Sequence, residues 1–269
     1  MRQHNAKSNP VSLLANLFGG GKGSHAQDEG TWQAVMERPV FDGLDDAERV
    51  RLHELAIQLL ADKAFTGAGG IEVGNGMATT IAAFAVLPVL NLGYGWYEGW
   101  CEIVVYPGEY LYDGEQMDED GIVHHIRHAR SGEAMEGGPM VLSSWQDVGH
   151  SGQGAGFNVV IHEFAHKLDM RDGSANGRPP LHSGMSPEDW ARDFRTAYDD
   201  LCRRVDGGED TAIDPYATDS PAEFFAVLSE YFFEAPDVLQ QEYPGVYGQM
   251  VSFYRQDPLV RMKVMVRGK

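Results

Sequence analysis

From Trp32 onward the apolar residues of this chain fall into runs whose spacing changes from one stretch to the next. Val50, Leu52, Leu55, Ala56, Leu59 and Leu60 recur at helical spacing as far as Lys63, and the stretch opens on Asp45-Asp46-Ala47-Glu48, which has the form of a capping box. Met77 to Leu87 is apolar nearly all round and ends against Pro88, which predicts a buried helix stopped or kinked by the proline. Cys101 to Tyr106 is rich in β-branched residues and stops at Pro107-Gly108, so it predicts a strand. Pro139 to Ser143 predicts a second. A glycine-rich lead, Gly149 to Gly156, then precedes the mostly apolar segment Val159 to Leu168, which reads as a buried helix. Ser220 as N-cap and Pro221 at the first position open another helix, buried through Phe224, Phe225, Val227, Leu228, Tyr231 and Phe232. The fold class expected is α+β.

The ends of the chain differ from its middle. Residues 1–30 are rich in Gly, Ser, Asn and Gln, and their apolar run, Val11 to Phe18, is too short to span a bilayer. Arg2 and Lys7 before that run and Ser24-His25-Ala26 after it imitate a signal peptide, but Gly19 to Lys22 interrupts the pattern. The expected organisation is a disordered tail over 1–30, one catalytic domain over 31–262 and a short tail over 263–269. The hydrophobic fraction of 43% suffices for a core in a chain of 269 residues. A formal net charge of −19 argues against direct nucleic-acid binding, which needs clustered Lys and Arg. Only Cys101 and Cys202 are present, too few for a disulfide framework, so the expected compartment is the reducing cytoplasm, with no membrane partner.

Within the segment Val159 to Asp169, His162 and His166 stand four residues apart and Glu163 follows the first. At about 3.6 residues per turn, positions four apart lie one above the other, so both imidazoles face one point in space. Glu163 projects roughly 100° further round the axis, beside that point and not on it. This is the H-E-x-x-H arrangement, in which two histidines hold zinc and the glutamate takes a proton from the water that the zinc activates. Histidine and glutamate are rare in so apolar a helix without partners, which favours a metal site over a coincidence of sequence.

Other clusters are weaker. Asp113, Glu115, Asp118, Glu119 and Asp120 lack the spacing of an EF-hand and read as a solvated acidic loop. His124, His125 and His128 suggest a second metal, but neighbours on a strand point to opposite sides. His53 reads as a surface or core-edge residue.

A catalytic zinc takes three protein ligands and leaves one position for water. A metzincin-like arrangement would make Asp172 the third ligand, but Asp169 stands where its turn needs glycine. A second helix offers Glu223 near its start and Glu230 two turns on along the same face, and spacing leaves these two nearly tied. Glu223 also suits a first-turn acid that serves only the helix dipole.

The run Gly156 to Asp169, taken with Tyr216-Ala217 and with Ala222 to Phe233, resembles the Mlc titration factor A (MtfA) family of bacterial zinc peptidases, as do Leu87-Pro88-Val89-Leu90 and Val105-Tyr106-Pro107. The likeness covers about residues 30 to 260 and gives the glycine-rich extension no role. It implies a zincin-like fold similar to the anthrax lethal factor catalytic domain, with additional N-terminal helices. It also implies peptidase activity on small peptides, aminopeptidase-like activity included, and binding to the glucose repressor Mlc. It makes Glu223 the third zinc ligand and Tyr216, seven residues earlier, a donor to the transition state.

The resulting reading is a metallopeptidase with one Zn2+ per chain on His162, His166 and Glu223, and with Glu163 and Tyr216 as catalytic residues acting on a peptide or protein substrate. Asp169 either orients a ligand histidine or bonds backbone at its own helix end. The strand near Met140 is expected to lie antiparallel to the substrate. The alternative is a regulatory protein that binds an Mlc-like repressor around a structural zinc, which would want a fourth protein ligand such as His150 or His182.

Overall fold

The computed structural model describes residues 25–107, 110–117, 123–130, 132–134, 138–142 and 157–267, without the side chains of 110–134 and 263–267. Helices α1 (Glu29–Met36) and α2 (Asp46–Asp62) come first, followed by β1 (Ala64–Gly67), α3 (Asn75–Val86) and β2 (Glu102–Val105). Strands β3 (Tyr110–Met117), β4 (Val123–Arg130), β5 (Gly132–Ala134) and β6 (Met140–Leu142) then lead to α4 (Val159–Asp169). The rest is helical, with α5 (Pro187–Asp206), α6 (Pro221–Glu234), α7 (Pro236–Glu242), α8 (Pro244–Tyr254) and α9 (Pro258–Arg267). The protein is therefore mostly helical around a small sheet in the order β1-β2-β6-β5, with the first two pairings parallel and the last antiparallel. The boundaries expected at 30 and 262 fall inside α1 and α9.

The predicted elements form for the predicted reasons, with three corrections. The capping box at α2 is complete, since Asp45 accepts from the Glu48 N–H at 2.8 Å and Glu48 accepts from the Asp45 N–H at 3.0 Å. Val50 is nevertheless 59% exposed, because two residues carry it roughly 200° around the axis from buried Leu52. The expected acidic loop begins as a strand: Asp113 and Glu115 lie in β3, in register with Arg127 and His125 of β4. Acids are poor strand formers, and the strand that completes the ladder cannot be read from the local run. Asp118 to Asp120 lie outside the described residues, as do Gly149 to Gly156 and the side chains of His124, His125 and His128. Finally, the Met140 strand is not an open edge. It pairs with β2 on one side and β5 on the other, so among the described residues the edges of this sheet are β1 and β5.

The core holds α4 from several sides. Every residue from Val159 to Asp169 is buried. Phe164 packs edge-on against Tyr97 and Trp100, with ring centroids 4.9 and 5.7 Å away. That aromatic floor is itself fastened by buried Lys63, whose ammonium donates to the Tyr97 and Trp100 carbonyls at 2.7 Å each and pairs with Asp62 at 2.8 Å. Opposite lies α6, buried from Phe224 to Phe233. Its Ser229 hydroxyl bonds the Phe225 carbonyl and the Tyr254 hydroxyl, both at 2.7 Å.

Gly177 joins the end of α4 to the start of α6. Its N–H donates to Asp169 Oδ2 at 2.7 Å, its carbonyl accepts from Trp190 Nε1 at 3.3 Å, and a Cβ on it would meet the Pro221 carbonyl oxygen at 2.3 Å. Its φ of +79° is strained for any L side chain. Gly177→Ala should therefore destabilise the protein by roughly 2 kcal/mol or more. Thermal or denaturant unfolding measures this, and an unchanged midpoint would contradict so close a contact between the two helices.

Candidate metal centre

The site is assembled by α4 and by the first turn of α6. On α4, His162 and His166 sit one turn apart with ring centroids 4.9 Å apart and planes 79° to each other. On α6, Ser220 Oγ caps the helix by accepting from the Glu223 N–H at 3.1 Å, and Pro221 fills the first position, where no N–H is needed. This start fixes Glu223 against the histidines: its Oε2 lies 3.0 Å from His162 Nε2 and 3.4 Å from His166 Nε2. One ligand atom from each of the three residues lies within 4.8 Å of the others. Ligands about 2.0–2.1 Å from a tetrahedral zinc stand about 3.3 Å apart, so two imidazole nitrogens and a carboxylate oxygen with these separations fit that ion in chemistry and in scale.

The electrostatics favour a cation. Burial opposes the charge on His162, but hydrogen bonds to Glu223 and Glu230 outweigh it and hold its pKa well above the ordinary histidine range. Burial likewise opposes the charge on Glu223, yet the bonds from His162 and His166 hold its carboxyl well below the usual range. Glu163 is buried beside this cluster, and its charge acts on His162 and on Lys167. The Lys167 ammonium, brought down to about 8 by burial, donates to the Gly138 carbonyl at 2.9 Å and lies 5.0 Å over the Trp100 ring.

Behind His162 lies another carboxylate. Glu230 Oε1 is 2.8 Å from His162 Nδ1, and its Oε2 accepts from the Asn158 N–H. Asn158 is the N-cap of α4: its Oδ1 accepts from the Ile161 N–H at 3.1 Å, and its Nδ2 donates to Glu234 Oε1 at 2.7 Å. From the sequence Glu230 stands only as a rival of Glu223, and Asn158 is not among the candidates. The available signals were the two-turn spacing of the two glutamates and an Asn placed directly before a buried helix.

The remaining candidates separate clearly. Tyr216 stands on the short turn Pro215–Thr218, where Asp214 accepts from its N–H at 2.9 Å. Its ring is 6.1 Å from that of His162 and 44% exposed. Asp172 is exposed and outside the three-residue cluster. Asp169 bonds the downstream backbone, accepting from the Asn176 and Gly177 N–H groups, and makes no hydrogen bond to a ligand histidine. That corrects the orienting role: the oxygen goes to two backbone donors, of which the Gly177 N–H is buried and would otherwise be unpaired. His182 is occupied elsewhere, bonding the Phe253 carbonyl at 2.8 Å and stacking on that ring, and His150 lies outside the described residues. His53 is half-buried, edge-on to Trp32.

Comparison with known proteins gives this geometry a context. The family described as "Glucose-regulated metallo-peptidase M90" matches residues 22–255, a span that includes both α4 and α6. Proteins named Mlc titration factor A from Yersinia pestis (strain Pestoides F) and from Yersinia pseudotuberculosis serotype O:1b (strain IP 31758) are each 41% identical over 235 residues, covering 86% of this chain and 86% of the relative. Among the described residues, no helix is long and apolar enough to cross a membrane. With a match across most of its length, the chain belongs to the glucose-regulated metallo-peptidase M90 family, which implies a metal.

Proposed function

We propose that this chain is a zinc-dependent peptidase with a zincin-like catalytic domain spanning about residues 31–262, working in the cytoplasm on peptide or protein substrates. The observation that carries this reading is the convergence of His162 Nε2, His166 Nε2 and Glu223 Oε2 beside the buried carboxylate of Glu163. Zinc held by those three residues supplies a Lewis acid that lowers the pKa of water to about 7 and polarises the scissile carbonyl. Glu163, on the same helix and one residue from His162, accepts the proton of the attacking water and returns it to the leaving amine. Tyr216 donates a hydrogen bond from its phenol to the oxyanion, an interaction stronger in the transition state than with the neutral carbonyl. Its exposure and its nearness to the His162 ring favour this role over that of a buried structural tyrosine. An extended substrate would pair with β5, the edge strand beside α4, because β6 already has a neighbour on each side.

A second reading draws on the name of the relatives, Mlc titration factor A, which speaks of a protein that titrates Mlc. On that reading the chain binds an Mlc-like repressor and its zinc is structural. A closed structural site takes four protein ligands. Among the described residues the cluster has three, and His182, one of the two fourth ligands that reading would want, is engaged with Phe253, while His150 lies outside the described residues.

Purified protein should carry about one zinc per chain, and His162→Ala, His166→Ala and Glu223→Ala should each lose most of it in elemental analysis. Full retention by Glu223→Ala would remove the carboxylate from the ligand set. Glu163→Gln preserves size but cannot accept the proton, so peptide hydrolysis should fall roughly 10²- to 10⁴-fold with zinc content unchanged. Activity within a few-fold of wild type would favour the repressor-binding reading. Tyr216→Phe should lower kcat about 10²- to 10³-fold with zinc and melting temperature unchanged. A loss of stability with kcat intact would make this tyrosine a structural residue.

A further inference from the structure

We infer that Glu230 is a positioning residue for the metal. Its carboxylate holds the His162 ring with the proton on Nδ1, leaving the Nε2 lone pair aimed at the point shared with His166 and Glu223. The inference rests on the metallopeptidase reading and extends it by one shell. A neutral imidazole carries one N–H and one lone pair, and which nitrogen carries which is set by the partner of the other. A carboxylate oxygen only accepts, and two of them face the one N–H of a neutral His162, Glu230 Oε1 at 2.8 Å from Nδ1 and Glu223 Oε2 at 3.0 Å from Nε2; a cation that takes up Glu223 and Nε2 would leave the hydrogen on Nδ1, toward Glu230. Nε2, on the side of the ring that Glu223 and His166 share, would then be the ligating atom.

Glu230 is well suited to this task because it is itself immobilised. It is 2% exposed on the buried face of α6, and its second oxygen accepts the main-chain N–H of Asn158. Asn158 caps α4 and reaches Glu234, one turn beyond Glu230, through its side-chain amide. Rotating Glu230 therefore takes the partner from the main-chain N–H of the residue that caps the helix carrying the ligands. The arrangement also distinguishes the two histidines. His166 Nδ1 is buried without a hydrogen-bond partner among the described residues, whereas His162 Nδ1 meets a carboxylate. The negative charge behind His162 also strengthens its nitrogen as a donor to the metal.

The test is zinc affinity by competition with a chromophoric chelator, measured on the full chain. The Gln of Glu230→Gln has one acceptor oxygen and one amide donor, so it cannot accept from both Nδ1–H and the Asn158 N–H. Its zinc Kd should rise about 10- to 100-fold with the far-ultraviolet circular dichroism retained. Glu234→Gln, which touches Asn158 but not His162, should leave Kd within about twofold of wild type. A Glu230→Gln protein that also binds zinc within that range overturns the inference. Should that variant not fold, nitrogen-15 spectra of zinc-loaded wild-type protein decide. The expected result is a far-downfield, slowly exchanging Nδ1–H on His162, and a proton found on Nε2 or exchanging freely with water overturns the assignment. Wild-type protein that takes up no zinc would instead overturn the peptidase reading itself, an outcome distinct from a change confined to Glu230→Gln.

Discussion

Glu223 Oε2 sits 3.0 and 3.4 Å from two imidazole nitrogens that belong to a helix about sixty residues earlier in the chain. Everything proposed for the site depends on that spacing between α4 and α6. It is set at both ends. At one end Asn158 caps α4 and is joined to Glu230 and Glu234 of α6. At the other, Asp169 holds Gly177, and Gly177 lies hard against the Pro221 carbonyl, two residues before Glu223. Between the two ends the contact is apolar, with Val159 to Leu168 on one helix and Phe224 to Phe233 on the other. Such packing resists sliding because each side chain occupies a fitted space.

The same contact buries an unusual amount of polarity. His162, Glu163, His166, Asn158 and Glu230 are all buried, at the centre of a core otherwise built of aliphatic and aromatic residues. An unpaired charge at such a place costs several kcal/mol, so each of these groups needs a partner. Glu230 has two and His162 has two. A dication bound by the two Nε2 atoms and Glu223 would pair those three groups while leaving the apolar walls that strengthen its pull on a carbonyl. Fold and chemistry thus share one constraint: the polar atoms can stay buried only where the two helices hold them in register.

Much of this was legible in the residues alone. The capping box at Asp45, the apolar run before Pro88, and the pair His162 and His166 all depend on neighbours within a turn or two, and all appear as expected. What escaped depends on partners distant in sequence. Spacing left Glu223 and Glu230 tied because it places residues on one helix but says nothing of the helix opposite. In three dimensions they face Nε2 and Nδ1 of the same ring. Asp113 and Glu115 read as a loop because the strand that pairs with them is written ten residues and more away. Met140–Leu142 read correctly as a strand, yet whether a strand is an edge depends on the sheet and not on its own residues.

The account stands on a ligand set of two imidazoles and one carboxylate with one position left for solvent. X-ray absorption at the zinc K-edge of the metal-loaded protein tests that directly. The predicted spectrum fits four light ligands at about 2.0–2.2 Å, two of them with the outer-shell scattering of imidazole. A thiolate at about 2.3 Å, or scattering from three or more imidazoles, would contradict it.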